Sequence, residues 1–476
     1  MHLRPSTMRL RHALYLATLL VCAARAADSP SPLSQLPSSS AASPPNIVFI
    51  IADDLGWADV AFHGGRAPTP HLDRLAREGL ELGAHYVAPV CSPTRTGLMT
   101  GRYWSRFDVT NPQNDRALPW DTDTLPRALK ARGYDTALVG KWHLGSLPSQ
   151  GPNHFGFDHS YGSLAGGVSP YGHKYKQGPW VDTWHRNEKL FDEPGHVTDL
   201  LAAEAVKWIE GRGASPFFLY VPFTAVHLPI KEPVEWLARV PAAITGDVPR
   251  HYAACVMHLD DAVGRIVAAL ERTGQRGNTL LVFTSDNGGS TVENNDRTYP
   301  SDDCPTGRLV GSNKPWRGEK GSLYDGGTRV VTLVSWPGRA KPGKTNAPVH
   351  ITDWMPTFAA LAGYRPERDL KWDGTDISPL LTAHTPPPER TLYGVAPGWR
   401  AQSVRRGDWK LIVTAASAAN VKSKKAAVAG AEELYHLATD PDEANNLAAS
   451  RPEILAQMRA HLAAASARDR DAVAKD

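Results

Sequence analysis

The chain has 476 residues, with 52 Lys and Arg against 49 Asp and Glu and a net charge of +3. So even a balance offers no basic track for nucleic acid and no patch for an anionic membrane surface. Its 4 cysteines are too few to staple a fold of this length, which must rest on a large apolar core. The N-terminus carries Arg4, Arg9 and Arg11, then an apolar run from Ala13 to Cys22, then the small residues Ala24 and Ala26. That layout predicts a secretory signal peptide over residues 1–26, cut after Ala26 and too short for a stable membrane span. A secreted or periplasmic location follows. Lipidation of Cys22 is the alternative, with bulky Val21 against it. Residues 27–45, dominated by Ser, Pro and Ala, read as a flexible linker.

From Asn46 the texture becomes that of a packed domain. Ile47-Val48-Phe49-Ile50-Ile51 is an uninterrupted apolar run, as in a strand buried on both faces, and it ends at Asp53-Asp54. Thr136 to Gly140 ends at Lys141, Phe217 to Val221 ends shortly before His227, and Leu280 to Ser285 ends at Asp286-Asn287. Helical patterns lie between them, for example His251 to Leu270. Alternating strands and helices imply an α/β layer fold over residues 46–389, in which ligand sites gather outside the carboxyl ends of the strands. Beyond about residue 390, short strands are expected at 392–395, 402–404, 409–413 and 434–436, and a closing helix at 451–464. Residues 390–476 thus read as a smaller α+β subdomain with an antiparallel sheet, and 415–430 as an exposed loop. Of the cysteines beyond the signal peptide, Cys255 and Cys304 could form one bridge, and spacing leaves that open.

Cys91-Ser92-Pro93-Thr94-Arg95 puts a thiol on a turn that feeds a helix, with a guanidinium one turn on. Helix dipole and cation both favour negative charge there, so the thiol is either activated for chemistry or a small buried group in an ordinary turn. Asp53 and Asp54 would repel each other in a dry site unless a cation lay between them. With Asp286 and Asn287 they make an all-oxygen donor set suited to Ca²⁺ or Mg²⁺. Capping of the following turns is the plainer alternative for each pair.

The Cys91 to Arg95 run, continuing through Thr100-Gly101-Arg102, resembles the signature of type I sulfatases, and the likeness extends from Asn46 to the 440–447 stretch. It is closest to arylsulfatase B-like and N-acetylgalactosamine 4-sulfatase-like members. The resemblance implies an alkaline phosphatase-like sandwich, a large and mostly parallel mixed sheet flanked by helices. It also implies oxidation of Cys91 to Cα-formylglycine by a maturation enzyme, and one Ca²⁺ per chain held by Asp53, Asp54, Asp286, Asn287 and the modified Cys91. Arg95 would steady the formylglycine. Lys141 and His143, in Gly140-Lys141-Trp142-His143-Leu144-Gly145, would bind sulfate and contact the formylglycine hydroxyl, and His227 and Lys320 would complete the sulfate contacts. Lys314 rivals Lys320 but precedes the Pro315-Trp316-Arg317-Gly318 element. His63, His71, His85, His173 and His258 have no such support and read as structural.

The implied activity is hydrolysis of sulfuric esters on sulfated carbohydrates, exo-acting on a terminal sugar, with a phosphodiester or phosphonate monoester hydrolase as the alternative. No nucleic acid or transmembrane segment enters this reading. The pocket walls fall in 161–184, 291–312 and the 397–400 turn, where Trp180, Trp184 and Trp399 could pack on sugar faces or in the core.

Overall fold

The structure is a computed structural model that describes residues 43–475 except 177, 296, 298, 301 and 417–429. The signal peptide, most of the linker and most of the expected 415–430 loop lie outside the described residues.

Asn46–Ala52 is buried along its whole length, as an unbroken apolar run requires. Its side chains alternate between two cores. Val48, Ile50 and Ala52 face one, and Ile47, Phe49 and Ile51 the other. The first core is closed by the helices Pro70–Glu78, Val197–Glu210 and Asp247–Arg272, and the second by Cys91–Thr100, Leu125–Lys130 and Trp354–Leu361. The result is a three-layer α/β sandwich. Each large apolar side chain so buried contributes about 1.5–3 kcal/mol.

The sheet has ten strands in the order Gly343–Thr345, Leu80–Leu82, Thr332–Ser335, Thr279–Ser285, Asn46–Ala52, Phe217–Pro222, Asp135–Val139, His159–Ser163, Trp184–Arg186, Lys189–Leu190. The five from Thr279–Ser285 to His159–Ser163 run parallel, so their carboxyl ends share one edge. Thr332–Ser335 runs antiparallel to both its neighbours, which makes the sheet mixed.

Leu392–Val395, Ala401–Arg406, Trp409–Thr414 and Ala431–His436 form a separate antiparallel sheet. The helix Pro452–Ser466 covers it, Leu455 and Met458 packing with Val404 and Leu411. Cys255 carries no disulfide and lies buried on the Asp247–Arg272 helix, so the bridge to Cys304 is not made. Among the described residues no helix is long and apolar enough to cross a membrane.

Candidate active site

Four strand ends and one helix start converge. Asp53 and Asp54 follow Asn46–Ala52, Asp286 and Asn287 follow Thr279–Ser285, Lys141 follows Asp135–Val139 by one glycine, and His227 follows Phe217–Pro222. Cys91 is the first residue of the helix Cys91–Thr100, which is buried throughout. The polar hydroxyls of this helix lock it in place. Ser92 donates to the His143 carbonyl at 2.9 Å, and Thr94 to the Asp286 carbonyl at 2.6 Å. Close backbone approach needs glycine here, since a Cβ at Gly288 would lie 1.8 Å from the Gly326 oxygen and one at Gly166 2.4 Å from the His143 ring. Asp54 and His143 hold φ of 63° and 55°, left-handed conformations that cost about 1–3 kcal/mol each in a non-glycine residue.

The charges interlock. Arg95 donates to Asp286 at 2.9 Å, to the Lys141 carbonyl at 2.7 Å and to the Tyr220 hydroxyl at 3.3 Å. Lys141 Nζ meets Asp53 at 2.5 Å, and Lys320 Nζ lies 2.6 and 2.8 Å from the two oxygens of Asp54. His227 Nε2 is 3.9 Å from Asp54, while its Nδ1 donates to the Leu228 carbonyl. Lys314 instead lines a separate cavity with Asp59 and Tyr252.

The three carboxylates are not left without counter-charge, because Arg95, Lys141 and Lys320 pair with them. At the Cys91 thiol, burial works against the negative charge that a helix start and nearby cations favour. Burial raises its pKa, and the charges of Lys141 and Lys320 offset that only in part.

Burial and neighbouring charge set the other protonation states. Asp54 is pushed up by burial but pulled down further by Lys320 and His227, to about 2. Asp286 is raised to about 6 by burial and by the charge of Asp53, against the pull of Arg95. Burial, reinforced by Lys320, drops His227 to about 3; burial with Lys141 and Arg95 holds His143 well below the usual range. Both imidazoles are therefore neutral at pH 7.

A hard cation fits the donor set. Asp53 Oδ1 and Asn287 Oδ1 are buried with no hydrogen-bond partner, beside the carboxylates of Asp54 and Asp286. Asp53, Asp54 and His227 also offer ligand atoms within 4.8 Å of one another, so His227 belongs to the same cluster.

The residues expected to hold the cation, the sulfate and the modified Cys91 thus fall in or against one cluster. The sequence reading missed Tyr220, which meets Arg95, and Tyr299, whose buried hydroxyl has no partner. Trp184 is core, packed edge-on against Tyr161 at 5.2 Å and not available to a sugar. The Trp399 ring is engaged by Asp108 through Nε1 and by Arg470 across its face.

The sulfatase family profile matches residues 45–364. Mouse arylsulfatase J is 36% identical over 347 residues, 70% of this chain and 55% of that protein. Mouse N-acetylgalactosamine-6-sulfatase is 33% identical over 369 residues, 72% of this chain and 67% of that one. The chain thus spans little more than half of the first of these relatives and about two thirds of the second. Among solved structures, Ps i-CgsB in complex with k-i-k-neocarrahexaose superposes with a TM-score of 0.77 at 30% identity, covering 91% of this chain and 95% of that one.

Proposed function

The chain belongs to the sulfatase family, and from that membership we propose that it hydrolyses sulfuric esters of carbohydrates. The observation that carries the reading is the buried cluster around Cys91, with three carboxylates, three cations and two unpartnered amide or carboxylate oxygens in one place. Asp53, Asp54, Asp286 and Asn287 would hold Ca²⁺, which supplies a positive charge for the sulfate oxygens and for the modified Cys91. Oxidation of Cys91 to an aldehyde by a maturation enzyme would supply a geminal diol, one hydroxyl to attack sulfur and a second to let the sulfate leave.

The chain's own residues then divide the work. Arg95 fixes the base of the site through Asp286 and the Lys141 carbonyl. Lys141 and Lys320 bring two ammonium groups to the cluster, and His227 a neutral imidazole, so they can neutralise and orient an anionic sulfate. His143, held neutral against Gly166, has an unpartnered buried Nδ1 and can take a proton from a hydroxyl at Cys91. Protonation of the leaving alcohol would fall to Lys320 or His227, both of which stand at Asp54. In that role Lys320→Ala slows sugar sulfates more than aryl sulfates, whose leaving groups need no proton. Equal slowing of both would assign Lys320 to binding alone.

The substrate we propose is a terminal sulfate ester on a sugar, a sulfated hexosamine such as N-acetylgalactosamine 4-sulfate being the leading case. Near-neutral charge gives no extended cationic track for a polyanionic chain. The complex of Ps i-CgsB with a neocarrahexaose makes an oligosaccharide the natural comparison. Sulfate release from matched mono- or disaccharides should outpace release from long polymers; equal rates would replace the exo reading with an endo one. The N-terminal pattern supports export to the periplasm or beyond.

A further inference from the structure

The Tyr299 hydroxyl is a buried polar group for which the chemistry above has no use. Its residue is 5% exposed, and the oxygen has no hydrogen-bond partner. Leaving such a group dry costs about 1–3 kcal/mol, so its place needs a reason. Its neighbours point to one. A Cβ built on Gly167 would lie 3.0 Å from Tyr299 Oη and 3.3 Å from His227 Nδ1, so the hydroxyl stands beside His227 with only glycine backbone between. The phenol also lies within electrostatic reach of Asp53, Asp54 and Cys91. The hydroxyl thus shares the Gly167 face with His227, a member of the cluster.

The ring of Tyr299 packs edge-on against Tyr175 at 6.0 Å, and the Lys176 ammonium sits over both rings, 5.7 Å from Tyr299 and 5.8 Å from Tyr175. Lys176 is half-buried, and no carboxylate among the described residues pairs with it. Among the described residues its partners are thus the two aromatic rings. The lysines at the centre, Lys141 and Lys320, are already committed to Asp53 and Asp54. A cation–π seat keeps an ammonium charged and partly desolvated, which strengthens its hold on an incoming anion.

We propose that Tyr299 and Lys176 form a sugar subsite next to the scissile sulfate. The Tyr299 hydroxyl hydrogen-bonds a sugar oxygen, and Lys176 pairs with a second anionic group on the glycan, a carboxylate or another sulfate. This rests on the sulfatase reading and narrows its substrate to glycans with a second negative charge close to the one removed. Both residues come from the segments 161–184 and 291–312, which the sequence marks as candidate pocket walls.

The test compares wild type, Lys176→Met, Lys176→Arg and Tyr299→Phe on three substrates: an aryl sulfate, a neutral monosulfated sugar, and a disaccharide carrying that sulfated sugar and a uronic acid. The quantity read is kcat/KM for each sugar divided by kcat/KM for the aryl sulfate. Lys176→Met should lower that ratio about tenfold for the uronate disaccharide and little for the neutral sugar, and Lys176→Arg should restore most of it. Tyr299→Phe should lower the ratio about five- to tenfold for both sugars. Ratios that stay within twofold of wild type in both variants overturn the subsite while leaving the sulfatase reading intact. A wild type that cleaves no sulfate ester overturns both.

Discussion

Two buried charge clusters in this molecule are built from the same kinds of side chain to different ends. At the strand ends, Asp53, Asp54 and Asp286 face Arg95, Lys141 and Lys320, yet Asp53 Oδ1, Asn287 Oδ1 and His143 Nδ1 remain without partners. Under the C-terminal sheet, Lys410 lies 2.7 Å from Asp325 and 2.8 Å from Glu443, Tyr86 donates to Asp325 at 2.9 Å, and Glu443 accepts from the Asp325 amide at 2.6 Å. Both oxygens of Asp325 are met by hydroxyl or cation. In the second cluster only Glu443 Oε1 lacks a hydrogen bond, and it still lies 2.8 Å from the Lys410 ammonium; the cluster joins the sheet strand Trp409–Thr414 to the segment that carries Lys320. The first leaves acceptors open, and open acceptors in a dry site are where a cation and a substrate can be held.

The difference is broken most sharply at Cys91. Cys91→Ala should abolish turnover with a stability cost of about 1 kcal/mol or less, since only a sulfur atom leaves the core. In active wild type, the mass of the peptide containing Cys91 should show an aldehyde; a thiol alone in fully active protein contradicts the mechanism.

Removing a cation from each cluster separates them next. Lys410→Met leaves Asp325 and Glu443 buried beside an uncharged chain and should cost about 3–5 kcal/mol, read as a fall in denaturation midpoint that added Ca²⁺ does not restore. Lys141→Met should lose activity, but Ca²⁺ should recover much of its stability by neutralising Asp53. Equal Ca²⁺ responses in the two variants would mean that the clusters do not differ in kind.

Chelation of the wild type should lower activity and stability together. Ca²⁺ at about a hundred times its Kd should return about 2.7 kcal/mol. Asp53→Ala should remove that response.

A third buried group holds a charged histidine between two carboxylates. His258 lies between Glu232 at 2.8 Å and Asp199 at 3.2 Å and stacks on His196 and Trp236. Burial opposes its charge, but Asp199 and Glu232 outweigh it and raise its pKa to about 9. Its stabilisation is complete below the unfolded value of about 6.5 and is lost as pH rises through about 9. Thermal midpoints measured from pH 6 to 9.5 should decline over that window, and His258→Gln should flatten the decline.

How much of this was legible in the sequence follows from where the information sits. Unbroken apolar runs such as Ile47 to Ile51 announce doubly buried strands, and the polar residues that end them mark the shared edge, so the sheet and the cluster could be read together. Motif position separates Lys320 from Lys314, and the structure places Lys320 on Asp54 and Lys314 in another cavity. Three things were not legible. The pairing of Arg95, Lys141 and Lys320 with the carboxylates depends on chain segments far apart in sequence. Burial outweighs the charges of Lys141 and Lys320 at Cys91 because the whole helix is buried. Tyr299 has no periodicity or motif to mark it, as its meaning comes from Gly167 and His227 across the site.

The central claim is that the open cluster hydrolyses sulfate esters. Its most direct test is to incubate purified protein, with the Cys91 aldehyde verified by mass, with a sulfated monosaccharide and, in parallel, with a phosphodiester of matched leaving group, and to measure sulfate and phosphate ester cleavage. Sulfate release that is Ca²⁺-dependent, absent in Cys91→Ala and far faster than phosphodiester cleavage is the predicted result. Preferential cleavage of the phosphodiester would contradict it.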